Sequence, residues 1–282
     1  MEFIMKGNDA VLKRARNVFH SQWEEMRRLR RVVLKRCGLE DIHDLRVASR
    51  RFRAALNLLA PLCDSRNVPK LSKEIRALTR TLGNLRNLDE ALVFFGSHDG
   101  QIGLPDLMSR LADTREREQR KTIKALKDLK PRKLDPLVRG VVAGITVDCL
   151  RKRNVPALPS YLSATSVSLF ETIQTLLPAA LGFENCGERH ALRIAIKKWR
   201  YFLEIVSRIT EQDYGTALDR LKKYQSLLGS MNDMTVFAAM CRKTGASADE
   251  LSAAEQVVTN ETRRLFHEFA VLVGAEPLGP VN

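Results

Sequence analysis

Aromatic residues are scarce in this chain: Phe, Trp and Tyr fill 6% of its 282 positions, and the two tryptophans, Trp23 and Trp199, are not clustered. The base-stacking platforms of single-strand nucleic-acid binders are therefore not evident. The five cysteines, Cys37, Cys63, Cys149, Cys186 and Cys241, are odd in number and scattered, with no C-x-x-C pair and no histidine at ligand spacing. This argues against a disulfide framework or a structural metal, and predicts reduced, mostly buried thiols. No stretch reaches the roughly 18 uncharged apolar residues that a membrane span requires, and the opening MEFIMKGNDAVLKRAR lacks an apolar run of signal-peptide length. A soluble, intracellular protein of the cytoplasm is expected.

What the chain has in excess is positive charge. It carries 47 Lys+Arg against 33 Asp+Glu, a formal net charge of +14, with 44% hydrophobic residues, enough for a core. Residues 1–155 hold 34 Lys+Arg and 19 Asp+Glu, or +15, whereas residues 156–282 hold 13 and 14, or −1. The first half supplies most of any basic surface.

Apolar positions recur three and four apart over 8–36, 41–60, 70–96, 105–129, 160–181, 187–210, 213–241 and 247–273, with no sustained period-two alternation. Eight main helices are predicted. Breakers fall between them: Gly38, Pro61, Gly100 with Gly103, Pro131, Pro156 with Pro159, Gly187 and Gly245. Residues 131–150 suggest a ninth helix weakened by Pro136, Gly140 and Gly144, and RKRNVPALP (151–159) reads as a linker.

The sequence also repeats. EDIHDLRVASRRFRAALNLL (40–59) aligns without a gap with GERHALRIAIKKWRYFLEIV (187–206), and LGNLRNLDEALVFF (82–95) resembles LGSMNDMTVFAAM (228–240). The expected architecture is all-α: two pseudo-symmetric four-helix bundles, residues 1–155 and 156–282, from an internal duplication, with a basic groove or pore between them.

Within the repeat, Leu45, Ala48, Phe52, Leu56 and Leu59 share one stripe at about 100° per residue, while His43, Arg46, Arg50 and Arg53 occupy an arc of roughly 80° away from it. The second copy sets Leu192, Ala195, Trp199, Leu203 and Val206 against His190, Arg193, Lys197 and Arg200. Four cations at this spacing repel one another unless a polyanion or carboxylates compensate. Arginine binds two phosphate oxygens through its planar fork, lysine adds a point charge, and phosphate favours protonated histidine. Each row reads as a rail for repeated phosphates. Glu204, one turn from Arg200, is expected to hold it by an ion pair.

HDLRVASRRFR (43–53) and HALRIAIKKWR (190–200), followed by LGNLRN (82–87) and LGSMND (228–233), resemble the conserved histidine α-helical domain, the CHAD domain, across nearly the whole chain. The resemblance implies a stand-alone module that binds inorganic polyphosphate, without enzymatic activity, cofactor or metal. It implicates His43, Arg46, Arg50, Arg51 and Arg53, then His190, Arg193, Lys197, Lys198, Arg200 and Tyr201, with Arg86, Lys222 and Lys223 from neighbouring helices. The triphosphate-tunnel signature E-x-E-x-K, carried by some relatives, is missing. Where the family tends to have Asp after the first LG-x-x-R, this chain has Asn87, with Asp89 two residues on as a substitute carboxylate.

Bland alternatives stand beside these readings. His43 and His190 could be structural, Trp199 is expected to pack, His20, His98 and His267 have no partner at metal spacing, and RRLRRVVLKR (27–36) could be a solvated helix face. Two other functions compete with polyphosphate binding. A nucleic-acid binder suits the +15 half but lacks a recognised motif. A metal-dependent phosphate-handling enzyme would need a carboxylate cluster or nucleophile beside the rail, and the sequence offers none. Association with polyphosphate granules and the oligomeric state are left open.

Overall fold

In a computed structural model, residues 2–63, 65–152 and 157–280 are described, with side chains from residue 9 onward except at 101, 150 and 151. Ten α-helices follow one another: α1 (Glu2–Arg36), α2 (Leu39–Leu59), α3 (Val68–Ile102), α4 (Pro105–Asp128), α5 (Pro131–Gly144), α6 (Val147–Lys152), α7 (Leu158–Ala180), α8 (Cys186–Thr210), α9 (Gly215–Thr244) and α10 (Ala248–Ala275). A single 3-10 turn, Ala60–Leu62, ends α2. Among the described residues there is no strand, only one isolated bridge between Cys63 and Ile145. The chain is all-α, as expected.

Prolines begin several helices. Pro69, Pro105, Pro131 and Pro159 each occupy a first or second helical position, where the missing N–H would be unpaired in any case. Glycine follows two helices with positive φ: Gly103 (φ 63°) after α3 and Gly245 (φ 70°) after α9. Gly100, expected as a breaker, lies inside α3. A helical glycine costs only about 1 kcal/mol relative to alanine, too little to stop a packed helix. Gly245→Ala meets only ordinary contacts, the nearest being Arg110 at 3.8 Å, so its cost is backbone strain alone. A loss of about 1–2 kcal/mol is expected in chemical denaturation.

Region 131–150 forms two short helices instead of one. The break falls at Ile145, whose backbone bridges to Cys63 and whose carbonyl accepts from Arg16 Nε at 2.9 Å. The linker is shorter than read: residues 151–152 end α6, 158–159 begin α7, and residues 153–156 lie outside the described residues.

Helix neighbours follow chain order: α1 packs on α2, α2 on α3 and α3 on α4, and likewise α7 on α8, α8 on α9 and α9 on α10. Between these two sets, α2 meets α8, α3 meets α9, and α1 also packs on α8. The predicted stripes are buried throughout: Leu45, Phe52, Leu56 and Leu59 on α2, and Leu192, Trp199 and Leu203 on α8, are at most 1% exposed. Phe52 stacks with Phe19 and Trp23 of α1, and Trp199 with Phe170 of α7. Phe94 and Phe95 of α3 meet Phe237 of α9. Glu250 of α10 accepts from the Asp106 and Leu107 amides, capping the start of α4, whose own N-cap, Leu104, offers no side-chain acceptor.

Candidate anion-binding site

The packing stripes seat α2 and α8 against the core and turn their cationic arcs toward one cavity of about 650 Å³. Arg50 and Arg53 of α2 line it together with His190, Arg193, Lys197, Lys198 and Tyr201 of α8. Arg46 lies half-buried, near enough to Arg50 and Arg193 to feel their charge, and its Nε is 3.7 Å from where a Cβ on Gly83 of α3 would sit.

Electrostatics record the crowding. Burial, then the nearby Arg50, push the Arg46 pKa down to about 10, with Arg193 adding to the effect and Glu90 opposing it. Arg53 is lowered by burial, then by Arg50 and Arg76. Arg193 is lowered by burial, against an upward pull from Asp233. For Lys197 burial dominates, followed by Arg50, Arg193 and Arg46, and the amine is brought down to about 6. The site therefore holds more positive charge than its own carboxylates neutralise. Arg193 Nε is buried with no hydrogen-bond acceptor, an uncompensated donor.

Several predicted residues sit elsewhere. Arg200, at the edge of its arc, pairs with Glu204 at 3.2 Å as expected. Glu204 also accepts from Arg51 of α2 at 3.1 Å, so the carboxylate clasps α2 to α8. Arg51 lines a different cavity of about 370 Å³ with Glu25, Asp44 and Arg208, although Lys198, its counterpart in the repeat, lines the first. Lys222 and Lys223 are exposed and bind Asp219 and Glu276, away from the cavity lining. Arg86 is held by Glu90 at 2.9 Å.

The two histidines differ. His190 Nδ1 donates to Asn232 Oδ1 at 2.7 Å, which orients the ring. His43 is half-buried and has no such partner among the described residues, because the position matching Asn232 is Arg86. The substitute for the carboxylate missing at Asn87 is also not Asp89. Asp89 is buried and accepts from Arg115 of α4 at 2.7 Å, and burial raises its pKa. The carboxylate near Arg46 and Arg193 is Glu90, one turn from Asn87, together with Asp233 of α9.

Sequence reasoning missed Glu90, and also Asn57, Tyr161 and Thr165 in the cavity wall. Asn57 shares the α2 arc with Arg50 and Arg53 and was findable from its spacing. Tyr161, whose hydroxyl donates to the Leu58 carbonyl at 3.1 Å, and Thr165 come from α7, which carries no motif. Among the described residues no group of three or more His, Cys, Asp or Glu could hold a metal. None of their helices is long and apolar enough to cross a membrane.

The family model of the CHAD domain matches residues 17–242. No curated protein matches the chain. Among solved structures, the chain is similar to the crystal structure of the CHAD domain from the plant Ricinus communis, at 21% identity and a TM-score of 0.63, covering 95% of this chain and 88% of that one. It is similar as well to PptA from Streptomyces chartreusis, at 16% identity and a TM-score of 0.66, covering 95% of this chain and 99% of that one. At these identities the likeness is one of fold.

Proposed function

The chain belongs to the CHAD domain family, and from that membership we propose that it is a binding module for inorganic polyphosphate, without enzymatic activity of its own. The observation that carries this reading is the convergence of Arg50 and Arg53 with Arg193 and Lys197 on one cavity, next to half-buried Arg46, with too few carboxylates to balance them. A linear chain of phosphates supplies negative charge at regular spacing, and guanidinium forks suit its non-bridging oxygens. Residues 1–155 and 156–282 then act as two repeat units contributing one cationic row each. Arg51, Arg200 and Tyr201 support the rows, and Lys222 and Lys223 are left to the outer surface.

Titration calorimetry with polyphosphates of defined length is the direct test, because length dependence reports how many cations one chain engages. Absence of saturable binding would remove the reading. Duplex DNA as a competitor at fixed salt checks the nucleic-acid alternative, and phosphate release with Mg²⁺ or Mn²⁺ checks the enzymatic one.

Lys197 makes binding proton-linked. In the empty protein its pKa of about 6 leaves the amine mostly neutral at pH 7. A bound polyanion favours the ammonium, so the bound-state pKa is higher and binding takes up a proton. Affinity should rise as pH falls from the bound-state pKa to about 6, and level off below it. Calorimetry in two buffers of different ionisation enthalpy measures the uptake. Lys197→Gln should abolish it.

A further inference from the structure

Lys197 is more buried than the arginines and the lysine that line the cavity with it. It is 8% exposed, yet it lines the cavity beside Arg50, Arg53 and Arg193, and has no hydrogen bond or ion pair among the described residues. Leu58, Leu169, Ile194 and Phe202 form an apolar wall in the same space. An unpaired amine, a set of guanidiniums and an apolar surface therefore meet within one cavity.

We propose that Lys197 is a modification site for acyl phosphates: Arg50, Arg53 and Arg193 hold the phosphate, the apolar wall receives a short acyl chain, and the Lys197 amine takes the acyl group. The inference rests on the anion-binding reading of the same cavity. In the step, the Nζ lone pair attacks the carbonyl carbon and a C–N bond forms. The bond from that carbon to the phosphate oxygen breaks, and inorganic phosphate leaves with the electron pair. The surplus proton of the amine passes to phosphate or water, and nothing is oxidised or reduced. The arginines that hold the phosphate also neutralise the charge growing on it as it departs. Burial and the neighbouring Arg50, Arg193 and Arg46 keep the amine largely unprotonated at neutral pH, as a nucleophile must be. The resulting amide cannot take up a proton, so acylation removes the cation that a bound polyanion would draw out at this position.

The test treats the intact protein with acetyl phosphate at pH 7 and quantifies each lysine by peptide mass spectrometry. Lys197 should label at least about tenfold faster than Lys222 or Lys223, which are exposed, ion-paired and outside the cavity whose arginines would hold the phosphate donor beside the amine. Pyrophosphate added first should slow labelling of Lys197 and leave the other two unchanged. Arg50→Gln should slow labelling by acetyl phosphate several-fold more than labelling by acetic anhydride, an acyl donor without a phosphate. Equal labelling of Lys197 and Lys222, or no protection by pyrophosphate, overturns the inference. Polyphosphate binding to the unmodified protein is a separate readout. Binding without selective labelling removes this inference alone, whereas selective labelling without binding removes the polyphosphate reading and leaves this one standing.

Discussion

Arg115→Ala is expected to cost about 3–4 kcal/mol of stability at neutral pH, because it strips the partner from a carboxylate that is fully buried. The Asp89 side chain is 0% exposed, and among the described residues Arg115 Nε is its only hydrogen-bond donor and Oδ2 has none. Without the guanidinium, Asp89 must either stay charged in an apolar setting or take up a proton on folding. Protonation costs about 1.4 kcal/mol for each pH unit above the unfolded value of about 3.9, which caps the loss at roughly 4 kcal/mol at pH 7 and roughly 1.5 kcal/mol at pH 5. The sign follows from proton counting. An acid whose folded pKa is raised binds more protons folded than unfolded, so the variant loses stability as pH rises from the unfolded value toward the folded one. Denaturant unfolding of wild type and variant at pH 5 and pH 8 measures the difference. A loss that does not grow with pH would assign Arg115 a packing role. Polyphosphate affinity should stay close to wild type, since this pair joins α3 to α4 and neither residue lines the cavity.

Asp89 also shows where sequence reasoning stops. Two residues from Asn87, it looked like the replacement carboxylate, but two residues along a helix is a turn of about 200°, which carries the side chain to the opposite face and into the core. Glu90, three residues on, returns to the face of Asn87 and meets the arginines. Helix faces were legible because apolar spacing is local: both packing stripes lie buried where the periodicity put them. The all-α class and most helix limits were legible for the same reason. The fate of equivalent positions was not, since it depends on which helix lies opposite. Arg51 meets Glu204 across the α2–α8 contact, whereas Lys198 is exposed at the cavity and forms no ion pair among the described residues. The break at Ile145 likewise depends on Cys63 and Arg16, each remote in sequence.

The double substitution Arg50→Ala with Arg193→Ala is expected to weaken polyphosphate binding by roughly two to four powers of ten. Each removes a charge-assisted contact worth about 1.5–3 kcal/mol, so about 3–6 kcal/mol is lost if the two add. Additivity is not assured. Arg50 helps to hold down the pKa values of Arg46, Arg53, Arg193 and Lys197, and its removal lets Lys197 gain its proton more readily, which returns part of the lost charge. The salt dependence should separate these contributions. By analogy with counterion release from single strands, two fewer phosphate contacts flatten the log–log slope by about 1.4, and a newly charged Lys197 restores up to about 0.7 of it. Stability should be unchanged or slightly improved, because both arginines lie off the packing stripes and repel their neighbours. Phe52→Ala makes the opposite change on the buried face of the same helix. Its ring is 0% exposed and stacks on Phe19 and Trp23, so about 3–5 kcal/mol of stability should be lost. Affinity per folded molecule should then be retained. If the double arginine variant binds polyphosphate as wild type does, with an unaltered salt slope, the chain is held on another surface, and the exposed Lys222 and Lys223 become the first positions to substitute.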